Sequence, residues 1–322
     1  MTADASGPEP SPHAVHAEAG STRHRARKTP RRPQSTLAER WTTVDGLDVF
    51  YRESPSPPVG APAVMHLHGF GLSGHYLLPT AELLADDFHT LVPDLPGFGR
   101  SARRSRSNLT LTSLADAAAR FLDDRGIEKA SLVGNSMGCP VICEFGHRHP
   151  DRLARAMLVS PAGGYHNQPL VRAMAQLARD GGREPKRMVR VAAPDYLKFG
   201  VASTVKMFGA LTRYPTLERL LSLSAPILAV IGDRDPLMPD PARVHDVVRH
   251  AGTDVTVVVM VGAAHAINFS HPGELAHIIR RFMADEPITD DVDSPGATRV
   301  VELHRGGHRP PAAEGGGPRM AG

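Results

Sequence analysis

The sequence predicts an α/β fold on a mostly parallel sheet, with helices on both faces and a helical insertion. Three observations carry that expectation. Compact apolar runs bounded by turn residues recur along the chain, amphipathic helical patterns fill the gaps between them, and residues 163–219 interrupt the alternation without a strand. Continuous apolar runs of this length suit strands buried on both sides of a parallel sheet. Their alternation with helices defines the class.

The elements follow in order. Val44-Asp45-Gly46-Leu47 places an Asp-Gly turn between two short β-prone runs, the signature of a hairpin. Strands are expected at Ala63–Leu67, His89–Val92, Ala130–Val133, Ala156–Val159, Ile227–Ile231 and Val255–Val261. Helices are expected at Leu109–Asp124, Met137–Arg148, Pro241–His250 and Glu274–Ala284, with Pro241 and Pro272 where first-turn prolines are tolerated. Residues 163–219 read as amphipathic helical pieces punctuated by Gly181-Gly182, Pro194 and Pro215. A helical cap inserted over the sheet's C-terminal edge is the simplest arrangement. The core is then divided into 41–162 and 220–286. Residues 1–40 and 287–322 read as disordered tails, being rich in small, polar and proline residues with too little apolar surface to offset the ordering of their backbone.

Composition narrows the function classes. With 322 residues, 41% of them hydrophobic, the chain can bury a large core, and two cysteines cannot form a disulfide scaffold. No apolar window is long enough for a membrane span, and no apolar stretch follows the N-terminal arginines as a secretory signal would require. A cytoplasmic protein is expected. The run Arg23 to Arg32 lacks interleaved aromatics, so nucleic acid is not an expected partner. Segment 163–219 carries 10 Lys/Arg against 4 Asp/Glu, a surplus of +6 on an otherwise mildly acidic body. Arg172, Arg179, Arg183, Arg187 and Arg190 fall so that several share a helical face, which would draw an anionic substrate if turned toward a pocket and do nothing specific if turned outward.

The strongest chemical signal is Gly134-Asn135-Ser136-Met137-Gly138, between a strand and a helix. In that setting the turn is so sharp that the two glycines crowd one another, and the serine hydroxyl stands exposed above the sheet. A serine needs a base to become a nucleophile. His265 stands on the loop directly after the last predicted strand, whereas His271 precedes Pro272 and reads as a helix start. The base needs an acceptor to fix its tautomer. Asp233 and Asp235 compete for that role after Ile227–Ile231; Asp235, further out on the loop, is favoured. The oxyanion would be met by the Met137 N–H at the helix start and the Phe70 N–H in His68-Gly69-Phe70-Gly71. His68 has no companion at a metal-ligand spacing and reads as structural, while Cys139 and Cys143 read as small packing residues.

Over roughly 41–286 the chain resembles the α/β-hydrolase superfamily. Beyond the three residues above, Asp94-Leu95-Pro96-Gly97-Phe98-Gly99-Arg100-Ser101 matches its loop after the fourth strand, and His265-Ala266-Ile267-Asn268-Phe269 its histidine loop. The resemblance implies an eight-stranded sheet, a helical cap, and hydrolysis of a small molecule through an acyl-serine without metal or organic cofactor. The elbow is also similar to that of carbon–carbon bond hydrolases, although Cys139 stands where that subfamily has a further glycine. Cleavage of an ester or related acyl bond is the first expectation. Carbon–carbon cleavage of a diketone-like acid and non-catalytic ligand binding are the alternatives.

Overall fold

The computed structural model describes residues 36–101, 109–162, 185–199, 207, 209–211, 213–236, 248–290 and 298–304. Its frame is one nine-stranded sheet in the order β1-β2-β4-β3-β5-β6-β7-β8-β9. The strands are β1 (Ala38–Val44), β2 (Leu47–Glu53), β3 (Ala63–Leu67), β4 (His89–Pro93), β5 (Ala130–Asn135), β6 (Leu153–Val159), β7 (Ile227–Gly232), β8 (Val255–Met260) and β9 (Thr298–His304). From β4 to β8 the pairings are parallel, while β1/β2, β2/β4 and β8/β9 are antiparallel. The helices are α1 (Leu78–Leu84), α2 (Leu111–Asp124), α3 (Gly138–Arg148), α4 (Lys186–Phe199), α5 (Thr216–Leu220), α6 (Ile267–Ser270) and α7 (Pro272–Met283).

Burial follows strand alternation. Met65, Leu67, Leu132 and Leu158 pack with α2 and α3 on one side, and Val64, Val133, Met157 and Val159 pack with Leu275, Ile278 and Ile279 of α7 on the other. Both sides of the central strands are covered, which is why their sequences read as unbroken apolar runs. The hairpin turn is as expected, with Asp45 at φ 52° and Gly46 at φ 71° joining Val44 to its partner Leu47. α2 starts at a reciprocal cap in which Ser113 N–H donates to Thr110 Oγ1 (3.0 Å) and Thr110 N–H to Ser113 Oγ (2.9 Å).

Several boundaries differ from expectation. β1 begins at Ala38 and Leu37 is buried, so the division at residue 40 falls inside a strand. The segment expected to be a tail from 287 contains β9, paired antiparallel to β8 from Val255↔His304 to Met260↔Thr298. Its β-branched run is short and set in Gly/Pro-rich sequence, so composition averages it away, whereas the unpaired edge of β8 supplies the partner. To the eight strands that the resemblance implies, β9 adds a ninth. Pro194, expected to punctuate, lies inside α4, where it costs one helical hydrogen bond. The expected helix Pro241–His250 lies outside the described residues up to 247, and so does most of 163–219.

Candidate active site

Ser136 sits at the turn from β5 into α3 with φ 55°, a left-handed conformation that non-glycine residues rarely adopt. The glycines permit it. A Cβ on Gly134 would lie 2.6 Å from the Gly138 carbonyl carbon, and one on Gly138 would strike the Leu67 carbonyl oxygen. Backbone bonds hold the turn: Ser136 N–H donates to Val159 O (3.1 Å), and Ser136 O accepts from Cys139 N–H (3.0 Å) and Ala162 N–H (3.3 Å). Met137 is the N-cap of α3, so its N–H stands at the positive end of the helix.

His265 follows β8, and its Nδ1 lies 2.7 Å from Asp235 Oδ2, both residues being buried. Asp233 is elsewhere: its Oδ1 accepts from Gly262 N–H at 2.8 Å on an exposed turn. Because a carboxylate only accepts, Nδ1 carries the proton in this pair and Nε2 is left as the basic nitrogen.

The loop after β3 passes over the elbow, since a Cβ on Gly69 would lie 3.3 Å from Ser136 Cβ. Two buried side chains orient it. His68 Nε2 accepts from Leu95 N–H (3.0 Å), which makes its Nδ1–H the donor to Gly69 O (2.9 Å). Burial also lowers the His68 pKa, in keeping with a neutral ring. In a trans peptide the C=O and the following N–H point opposite ways, so the grip on Gly69 O aims the Phe70 N–H away from His68. Tyr76 OH accepts from Gly69 N–H (2.7 Å) and donates to Asn135 Oδ1 (2.7 Å). Asn135 Nδ2 in turn donates to Val159 O (3.1 Å) and His265 O (3.0 Å). The elbow, the loop after β3 and the histidine loop are therefore tied by one buried pair.

These positioning residues are of unequal legibility. Asn135 lies inside the motif but counts there as any residue, and nothing in the sequence singles out Tyr76, because Asn135, 59 residues on, is brought to it only by the sheet. Cys139 and Cys143 are buried with their thiol pKa values raised by burial, that of Cys143 to about 12, so neither competes as a nucleophile. Among the described residues no group of three His, Cys, Asp or Glu could hold a metal ion. No described helix is long and apolar enough to cross a membrane.

Comparison with known proteins agrees with the fold. A family model described as alpha/beta hydrolase fold matches residues 62–181. The chain is 38% identical over 129 residues to the dihydrolipoyllysine-residue acetyltransferase component of the acetoin cleaving system of Cupriavidus necator, covering 40% of this chain and 33% of that one. Across the curated relatives of this kind the chain spans a third to under half of their length. It is 27% identical to the pimeloyl-(acyl-carrier protein) methyl ester esterase of Aeromonas salmonicida, over 69% of this chain and 95% of the relative. The crystal structure of a bacterial membrane phospholipase A superposes with a TM-score of 0.66 at 24% identity, covering 78% of this chain and 87% of that one. Sheet order, elbow and these likenesses agree in giving the chain the α/β-hydrolase fold.

Proposed function

We propose that this chain is a member of the α/β-hydrolase superfamily and a serine hydrolase that cleaves an ester or related acyl bond of a small molecule. One observation carries the reading: His265 pairs with Asp235 and its own carbonyl is bonded to Asn135, the residue beside Ser136, which itself holds the strained elbow conformation. In this mechanism Ser136 Oγ attacks the carbonyl carbon and its proton passes to His265 Nε2. The Phe70 and Met137 N–H groups take the developing oxyanion. The alkoxide leaves with the proton from His265, giving an acyl-serine. Water, deprotonated by His265, then releases the acid and restores the hydroxyl. Side chains, backbone amides and water complete each step. The esterase among the relatives supports the choice of an acyl bond.

The test is a substrate panel comprising p-nitrophenyl esters of increasing acyl length, a lactone, a carbamate and a vinylogous diketone acid. Ester or lactone turnover with the highest kcat/KM is expected. Preference for the diketone would instead make the chain a carbon–carbon hydrolase, and no turnover together with no fluorophosphonate adduct would make it a binding protein.

The cap's charge is part of the same question. Arg172, Arg179 and Arg183 lie outside the described residues; Arg187 and Arg190 are exposed on α4. The Arg187 guanidinium lies 5.1 Å from the Phe269 ring centroid, beside the histidine loop. If such cations steer an anionic ester, its kcat/KM falls with added salt and exceeds that of a neutral analogue. Salt-independent, equal rates would assign the charge to solvation alone.

A further inference from the structure

Helix α4, in the segment expected to form the cap, grips the loop that carries Phe70. Asp195 Oδ2 accepts from both Ser73 N–H (2.9 Å) and Ser73 Oγ–H (2.6 Å). One residue on, Gly74 N–H donates to Asp94 Oδ1 at 2.8 Å, so consecutive amides are held by one carboxylate from the cap and one from the core. Gly71, at φ 69°, lies so close under the Tyr196 ring that a Cβ there would be 2.6 Å from Cε1. Phe199 stacks on Phe98 with ring centroids 4.8 Å apart and meets Phe70 edge-on at 5.3 Å. Ser73, Phe70 and Phe199 are all buried.

Residues 69–73 are thus clamped from two directions. On the sheet side, His68 and Tyr76 fix Gly69. On the cap side, Asp195 fixes Ser73 while Tyr196 and Phe199 cover Gly71 and Phe70. Phe70 lies between the two anchors. An amide aimed at a developing charge works only if its direction is fixed before the reaction, and a shift of about 1 Å costs on the order of a hundredfold in rate.

We propose that Asp195 is a positioning residue that couples the cap to the oxyanion hole: its carboxylate holds Ser73 so that the Phe70 N–H is aimed when α4 is docked. The inference rests on the acyl-serine reading above. It makes the cap a part of the catalytic geometry as well as a cover.

The test compares Asp195→Ala, Asp195→Asn and Ser73→Ala with the native chain. Each is assayed by its second-order labelling rate with an ethoxy-fluorophosphonate and by kcat and KM on p-nitrophenyl butyrate. Removing the acceptor in Asp195→Ala is expected to slow labelling and kcat about tenfold or more, with KM within about twofold, since ground-state binding is untouched. Asp195→Asn keeps one oxygen that takes both Ser73 bonds, so it should restore most of the rate. Ser73→Ala, which loses only the hydroxyl arm, should fall between them. A merely structural contact would lower Tm in Asp195→Ala and leave kcat unchanged, which overturns the proposal. Equal loss in Asp195→Asn also overturns it, because charge and not hydrogen bonding would then be responsible. A native chain that takes up no probe would instead refute the underlying acyl-serine reading.

Discussion

At the scale of single residues the chemistry depends on which groups hold protons. Asp235 lies against His265 and Asp233 does not, so the two aspartates should differ sharply on substitution. Asp235→Asn should lower kcat by on the order of 10³–10⁴, because an amide facing Nδ1 favours the wrong tautomer. Asp233→Asn keeps an acceptor for Gly262 N–H and should change kcat by no more than about twofold. Steady-state kinetics of the two variants decide the matter, and the reverse ranking would reject the assignment. Both aspartates are legible as candidates because they lie on one short loop directly after an apolar run. Nothing comparable marks Tyr76 or Asp195, because Asn135 and Ser73, 59 and 122 residues away, meet them only in the folded chain.

A second residue-scale consequence concerns acid stability. His66 on β3 is fully buried, and neither ring nitrogen has a hydrogen-bond partner among the described residues. Burial lowers its pKa to about 3. The unfolded chain therefore takes up a proton near the ordinary histidine value while the folded chain does not. Stability is fully present above about pH 6.5 and is lost as pH falls toward 3, by up to about 1.4 kcal/mol per pH unit for this group. Burial of His68 acts in the same direction. Replacing His66 by Leu should flatten the decline of urea-unfolding free energy between pH 6.5 and 4. An unchanged slope would show that His66 does not titrate between the two states.

At the scale of elements the strand–turn–helix at residues 130–148 is the most legible part of the chain. Its evidence is local: an apolar run, two glycines spaced about a serine, and a helical pattern. The structure adds the reason for the glycines, since a Cβ on Gly134 would meet the Gly138 carbonyl and one on Gly138 the Leu67 carbonyl. Gly134→Ala should therefore displace the elbow and cost at least about 1–3 kcal/mol of overpacking. The accompanying loss of probe labelling should exceed anything the stability loss explains. Full labelling in a normally stable variant would mean that the turn is looser than described. Helix α4 was less legible, because Pro194 reads as a break and the helix continues through it. Its buried positions, among them Met188 and Phe199, are specified by the loop beneath.

At the scale of the whole molecule the resemblance implies an eight-stranded sheet, and the ninth strand lies outside that expectation. β9 is invisible to composition because seven residues are averaged with polar and glycine-rich neighbours. Its pairing with β8 covers an edge that would otherwise be exposed. Ending the chain at residue 290 should therefore lower Tm by several degrees while preserving the labelling rate, since the loops of the site are retained. Differential scanning calorimetry of the shortened chain checks this, and an unchanged Tm would remove β9 from the account. The central claim, that Ser136 is a nucleophile activated by His265, is tested most directly by peptide-resolved mass spectrometry after treatment with a fluorophosphonate. One adduct is expected, on the peptide that contains Ser136, absent in Ser136→Ala and slowed by several powers of ten in His265→Ala. An adduct on another residue, or one that survives in Ser136→Ala, would contradict it.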